Sequence, residues 1–285
     1  MRLLRVGDAG AERPVVIGAD GVCFDLRPFA ADIDGNLLTR LAALKDVLAA
    51  GGLPETTIVG ERIGPPLRRP ASLICVGMNY AAHAAESGAP PPDHVIVFFK
   101  KGTAVVGPND DLRLPVGSTQ LDWEVELGVV IGGTSDGAVS RDAALDLVAG
   151  YVLANDVSER SWQLDVSGGQ WSKGKCGDTF NPLGPWLVTA DEIDDPQSLR
   201  LRSWVNDEPR QDSTTADMVF SVVDILCDLS RYMTLEPGDV ILTGTPEGVA
   251  LSGRFPYLQL GDVIRMEIDG LGSMRQVVRA GSSPT

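Results

Sequence analysis

LDWEVELGVVIG, residues 121–132, reads as a strand that starts alternating and ends apolar. A side-chain period of two sends Asp122, Glu124 and Glu126 to one face and Trp123, Val125 and Leu127 to the other. Alternating carboxylates ordinarily mark a solvated sheet surface. The run VVIG that follows instead belongs to a strand covered on both faces, which puts the two glutamates at the end of an inner strand. Two carboxylates about 4 Å apart repel by about 1 kcal/mol in water and roughly 4 kcal/mol at an effective dielectric of 20. Such a pair needs protons or a cation. YVLANDVSER, residues 151–160, ends a second strand of this kind in Asp156, a third oxygen donor. Three carboxylates without a Cys or His pair favour a hard ion, Mg2+ or Mn2+, over zinc.

Further β-like runs surround this one: SLICVG from 72, VIVFFK from 95, LGPWLVT from 183, LRLRSWV from 199, DVILTG from 239 and DVIRMEI from 262. The clearest helix is Ser221 to Met233, where Ser221 and Asp224 resemble a capping arrangement and Val222, Ile225, Leu226 and Leu229 form a stripe. Ahead of these, LLRV, VVIG and VCFDL read as short strands, followed by a helical pattern through Leu37, Leu41, Leu44, Val47 and Leu48. IGPPLRRPA, residues 63–71, holds three prolines and a glycine and breaks both helix and ladder. The expected organisation is a small α/β module over 1–68 and a larger, mainly β domain over 69–285.

The 285 residues carry 39 Asp+Glu against 24 Lys+Arg, a net −15 that argues against nucleic acid as a partner. Hydrophobic residues at 44% and charged residues at 22% are the mix of a folded protein, not a disordered one. The uncharged stretch Pro70 to Ala85 is shorter than a membrane span, and MRLLRVGDAG holds no secretory apolar run. A cytoplasmic protein with no membrane partner is expected. Cys23, Cys75, Cys176 and Cys227 lack paired spacing and read as reduced thiols. No glycine-rich pattern of a nucleotide-phosphate loop occurs.

Only two histidines exist, His83 and His94. In GMNYAAHAAESG, residues 77–88, Asn79 is placed to cap a short helix on which His83 and Glu86 are i,i+3 neighbours. A carboxylate that orients an imidazole makes a general base, although a surface His–Glu pair has the same spacing. The Ala-rich helix and the GAPPPD that follows have little apolar area to anchor them and read as a flap or as an ordinary proline-rich loop. The glycine-dense GGQWSKGKCGDTFNPLGPW offers Lys173 and Lys175 to an anionic ligand. TGTPEGVA offers Thr243, Thr245 and backbone N–H groups that bind a carboxylate or form a turn.

Taken in order from about residue 72 to 250, VGMNYAAHAAE, FFKKGTAVVGP, DWEVELGVVIG, ANDVSERSWQ, WSKGKCGDTFNPLGPWLVT and ILTGTPEGV resemble the fumarylacetoacetate hydrolase family. The resemblance implies an α+β fold whose main domain is a mixed β-sandwich or roll, assembled as a homodimer. It implies Mg2+ or Mn2+ on Glu124, Glu126 and Asp156, with Lys175 as the active-site lysine. His83 and Glu86 become a water-activating dyad on a lid, Gln163 and Thr245 become substrate contacts, and Arg160 and Lys100 match family positions. Where many relatives carry a bulky residue after the GK, this chain has Cys176-Gly177, which widens the expected pocket.

The implied reaction is metal-dependent hydrolysis of a C–C bond in a 2,4-dioxo acid, an acylpyruvate, to pyruvate and a carboxylic acid. MRLLRVG and the ADIDG…L helix resemble the subgroup acting on 2,4-dioxo-3-deoxy sugar acids. Two alternatives share the metal: decarboxylation or keto–enol isomerisation of a 2-oxo dicarboxylate such as oxaloacetate or 2-hydroxyhepta-2,4-dienedioate, and noncatalytic binding of a keto acid. In each case the partner is a small 2-oxo acid, and part of the acidic excess is the metal site itself.

Overall fold

Every residue of the strand Val125–Ile131 is buried, because the strand lies inside a ten-stranded sheet with covers on both faces. The computed structural model describes residues 1–86 and 88–281. Along the sheet the order is Cys23–Asp25, Arg13–Ile17, Arg2–Val6, Leu187–Thr189, Val148–Asn155, Val125–Ile131, Val240–Leu242, Leu73–Gly77 and Ile96–Lys100, with Ile63–Gly64 beside Arg2–Val6. Neighbours run antiparallel except Val240–Leu242 and Leu73–Gly77. A second sheet of five strands holds Glu208–Thr214, Arg200–Val205, Val263–Ile268, Gly272–Ala280 and Leu112–Leu114.

The period of two sorts the core. Val125, Leu127, Val129 and Ile131 pack with Leu201, Ile264, Met266 and Met274 of the second sheet, as the inner faces of a sandwich do. Val130 on the opposite face packs with Val152, Leu242, Leu37 and Leu44. The last two come from the helices Gly35–Leu38 and Leu41–Ala49, so residues 1–68 supply the cover of that face. Their strand Arg2–Val6 pairs with Leu187–Thr189 and extends the same sheet. The fold is α+β and mainly β. Among the described residues, no helix is long and apolar enough to cross a membrane.

Three expectations need correction. LDWEVELGVVIG is not one strand: Leu121–Asp122 pairs separately with Ser158–Glu159, and the main strand starts at Val125. Asp122 causes the break, because its carboxylate accepts from the N–H groups of Trp123, Ala250 and Leu251 and holds the chain off the ladder. The helix at Ser221 has the reciprocal capping box with Asp224 but spans only Val222–Leu229, closing in a tighter turn at Tyr232. Asn79 caps nothing: its amide donates to the carbonyls of Phe220 and Thr243 and accepts from Phe220 N–H, tying the segment before the His83 helix to two distant loops.

Candidate active site

Strand register assembles the acidic cluster. Val125 pairs with Asn155 and Glu126 with Ala154, so Glu124 stands opposite Asp156, whose N–H donates to the Glu124 carbonyl at 2.9 Å. Glu124, Glu126 and Asp156 then share the face that bears Val130, and one carboxylate oxygen from each lies within 4.8 Å of the others. The small Ala154 and Gly128 leave room there; a Cβ on Gly128 would meet Val152 at 2.7 Å.

Three cations ring the cluster. Lys175 Nζ donates to Glu124 Oε2 at 2.7 Å and to Asp156 Oδ2 at 2.8 Å. It reaches them from the single helical turn Ser172–Lys175, not from an open loop. That turn packs against Ser161–Asp165 so closely that a Cβ on Gly174 would lie 2.5 Å from Gln163 N and Glu159 O. Arg160 donates to Asp122 at 2.8 Å, Glu124 at 2.6 Å and Gln163 Oε1 at 2.9 Å. Lys100 bonds Asp156 from behind and donates to the Phe180 carbonyl at 2.7 Å.

These contacts divide the glutamates. Burial alone would raise Glu124, but the charges of Lys175 and Arg160 hold its carboxyl down at about 2. Glu126 is pushed well above the usual carboxylate range by burial and by the charges of Asp156 and Glu124, opposed by Lys175 and the Gly244 N–H at 2.9 Å. Burial disfavours the Lys175 ammonium, yet Asp156 and Glu124 raise it above its ordinary value. Four buried carboxylates, counting Asp122, face three cations, leaving one negative charge, and Glu126 is where it is least matched. An all-oxygen donor set with unrelieved repulsion fits a hard divalent cation, which Glu124, Glu126 and Asp156 can hold.

The glutamates open onto a cavity of about 470 Å³, which His83 and Glu86 also line. His83 is 5% exposed, so it is not a surface residue. Its Nδ1 lies 3.9 Å from Glu86 Oε2 and makes no hydrogen bond. Glu86 is itself anchored, Oε2 accepting from Gly248 N–H at 3.0 Å and Oε1 from Arg254 at 3.3 Å. The N–H groups of Gly244, Gly248 and Ala250 in TGTPEGVA therefore bind carboxylates of the protein's own, Glu126, Glu86 and Asp122.

Of the expected site residues, His83, Glu86, Glu124, Glu126, Arg160, Gln163, Lys175 and Thr245 line this one cavity. Asp156 and Lys100 stand behind that wall, Lys100 as the counter-charge beneath Asp156 rather than in the cavity. Thr245 donates to the Val125 carbonyl and accepts from Gln211, so its hydroxyl is already engaged. His94 lines a separate surface cleft with Arg141 and Asp224. Sequence reasoning missed Gln211, Met78 and Trp171. Gln211 fixes Val125 N–H and Thr245 from a polar outer strand, and the other two belong to the cavity wall.

Residues 72–279 match the family model described as fumarylacetoacetate (FAA) hydrolase C-terminal. A Burkholderia multivorans protein with no more specific name than hydrolase is 48% identical over 98% of this chain and 99% of its own. The structure of maleylpyruvate hydrolase from Sphingobium sp. SYK-6, in complex with manganese(II) and pyruvate, is 32% identical with a TM-score of 0.82, covering 99% of this chain and 100% of that one. The structure of 5-carboxymethyl-2-hydroxymuconate delta-isomerase from Mycobacterium smegmatis is 34% identical with a TM-score of 0.78, over the same 99% and 100%. The chain belongs to the fumarylacetoacetate hydrolase family, and these two solved structures it resembles are a hydrolase and an isomerase.

Proposed function

We propose that this protein is a divalent-metal-dependent hydrolase that cleaves the C–C bond of a 2,4-dioxo acid, releasing pyruvate and a carboxylic acid. One observation carries the reading: a His–Glu pair, two glutamates of a three-carboxylate cluster and its lysine line one cavity. Glu124, Glu126 and Asp156 would hold Mg2+ or Mn2+, which when bound would supply a Lewis acid for the 2-oxo acid. His83, with Nδ1 toward Glu86, takes a proton from water at Nε2, and the hydroxide so formed adds to the C4 carbonyl. The ammonium of Lys175 stabilises negative charge as it develops on the substrate. The C3–C4 bond breaks, its electron pair stays on C3, and C3 receives the proton held by His83. Pyruvate and the C4 carboxylic acid leave.

Pyruvate release from a panel of acylpyruvates with Mn2+ or Mg2+ tests this. No release from any of them, by protein that still binds the metal, removes the hydrolytic reading. The second reading, isomerisation or decarboxylation of a 2-oxo dicarboxylate, draws on the isomerase relative and on the 3.9 Å gap between His83 and Glu86, since proton transfer at carbon needs no activated water. His83→Ala separates the two: hydrolysis falls by roughly 10²–10⁴-fold, the contribution of a general base, whereas decarboxylation does not. A homodimer in the cytoplasm belongs to the same proposal, and light scattering of the purified protein checks the dimer.

A further inference from the structure

The floor and the wall of the cavity differ in chemistry. At the floor Glu124, Glu126 and Lys175 are at most 4% exposed, whereas Leu164 at the rim is 38% exposed. The wall between them is apolar, built from Met78, Phe98, Trp171 and Leu251. Phe98 and Trp171 meet edge to face with centroids 5.7 Å apart. Trp171 sits directly over Gly77, where a Cβ would lie 2.4 Å from the ring, so the glycine is what admits the indole. Met78 holds φ +57°, a conformation that side-chain-bearing residues rarely adopt. Strain of that kind persists where the surrounding structure imposes it, and here it brings a thioether to the wall.

The lysine, the arginine and the hydroxyls of the same wall are committed. Arg160 is bonded to Asp122, Glu124 and Gln163, and Lys175 to Glu124 and Asp156. Arg254 lies outside the wall, exposed to solvent, and faces Glu86. Of the hydroxyls, Thr245 is held by Val125 and Gln211, and Ser252 donates to the Val249 carbonyl and accepts from Arg254 N–H. Among the described residues, the wall holds no spare lysine or arginine for a second carboxylate and no spare hydroxyl for a sugar chain; its remaining polar side-chain donors are His83, taken above as the base, and the amide of Gln163, whose Oε1 accepts from Arg160.

We infer that, within the hydrolase reading above, the substrate carries an uncharged apolar group beyond C4, alkyl or aryl, in place of a second carboxylate or a polyhydroxy tail. Each methylene buried against this wall adds about fourfold to affinity. A carboxylate forced into the same place loses its hydration and finds no lysine or arginine to pair with.

Two unreactive 2-oxo acids of equal chain length test the slot without any turnover. Calorimetry on Mn2+-loaded protein compares 2-oxohexanoate with 2-oxoadipate, in which a carboxylate replaces the terminal methyl. The apolar acid binds at least about tenfold tighter; parity, or preference for the dicarboxylate, overturns the inference. Leu164→Arg, a change at the rim, moves the ratio about tenfold toward 2-oxoadipate, and an unmoved ratio overturns the placement of the tail. In turnover, kcat/KM for pyruvate release rises from acetylpyruvate to hexanoylpyruvate and exceeds that for fumarylpyruvate. If the binding order holds while every acylpyruvate stays intact, the slot stands and hydrolysis falls. If pyruvate is released but the two acids bind equally, hydrolysis stands and the slot falls.

Discussion

On one face of the strand Val125–Ile131 the chain sets Val125, Leu127, Val129 and Ile131 against the second sheet; on the other, the segment from Glu124 sets Glu124, Glu126, Gly128 and Val130 against the helices of residues 1–68 and the cavity. Both faces are buried, so burial does not tell them apart. What does is the company each keeps across the ladder. The neighbours of the odd face are mainly apolar, its polar ones Asn155 and Gln211 at the Val125 end being hydrogen-bonded, while Glu124 meets Asp156, Arg160 and Lys175. The odd face stabilises the fold; the even face spends part of that stability on holding like charges together.

The largest effect expected from that contrast is on stability. Leu127→Ala leaves a cavity between the sheets and lowers unfolding free energy by about 2–5 kcal/mol in a urea titration. Glu126→Gln, one position away on the even face, removes a buried charge that repels Asp156 and Glu124, so the metal-free protein becomes more stable by about 1 kcal/mol or more. The two variants diverge again when Mn2+ is added. Wild type and Leu127→Ala gain about 2.7 kcal/mol at a hundredfold excess over Kd, and Glu126→Gln gains little. Destabilisation of metal-free protein by Glu126→Gln, or a full Mn2+ response in that variant, breaks the contrast.

Next in size is Gly174→Ala. The added methyl meets backbone atoms of Gln163 and Glu159 that have nowhere to go. The turn Ser172–Lys175 must lift, at a cost of about 1–3 kcal/mol, and carries the Lys175 ammonium off Glu124 and Asp156. Turnover therefore drops more steeply than stability does, by about 10²-fold, the consequence of an ångström-scale misplacement. Loss of activity only in proportion to loss of folded protein removes Lys175 from the chemistry.

How much of this was readable in advance follows from the range of the interactions. Glu124, Glu126 and Asp156 are visible because period two, the apolar run VVIG and the strand end at Asn155 are local facts, and His83–Glu86 is an i,i+3 spacing. The break at Trp123–Glu124 is not, since its cause is Asp122 capping Ala250 and Leu251 across 128 and 129 positions. Lys100 behind Asp156 and Asn79 between Phe220 and Thr243 are likewise set by distant chain. The strands Glu208–Thr214 and Gly272–Ala280 escape an apolar-run reading because each has an exposed polar edge, EPRQDST and GSMRQVVRA, and Gln211 is hidden in the first.

The smallest expected change in stability tests the other contrast, between charged floor and apolar wall. At φ +57° Met78 carries about 1 kcal/mol of backbone strain that Gly would not. Gly at the same place loses about 0.5–1 kcal/mol more to the entropy of the unfolded chain. Met78→Gly is therefore close to neutral in a urea titration. It nevertheless deletes the thioether from the wall while leaving Glu124, Glu126 and Lys175 in place. The kcat/KM ratio of hexanoylpyruvate to acetylpyruvate should fall by about fourfold or more, roughly a methylene's burial or more, with acetylpyruvate turnover little altered. If both substrates suffer equally, Met78 shapes the floor rather than the wall, and the separation of the two regions is wrong at this residue.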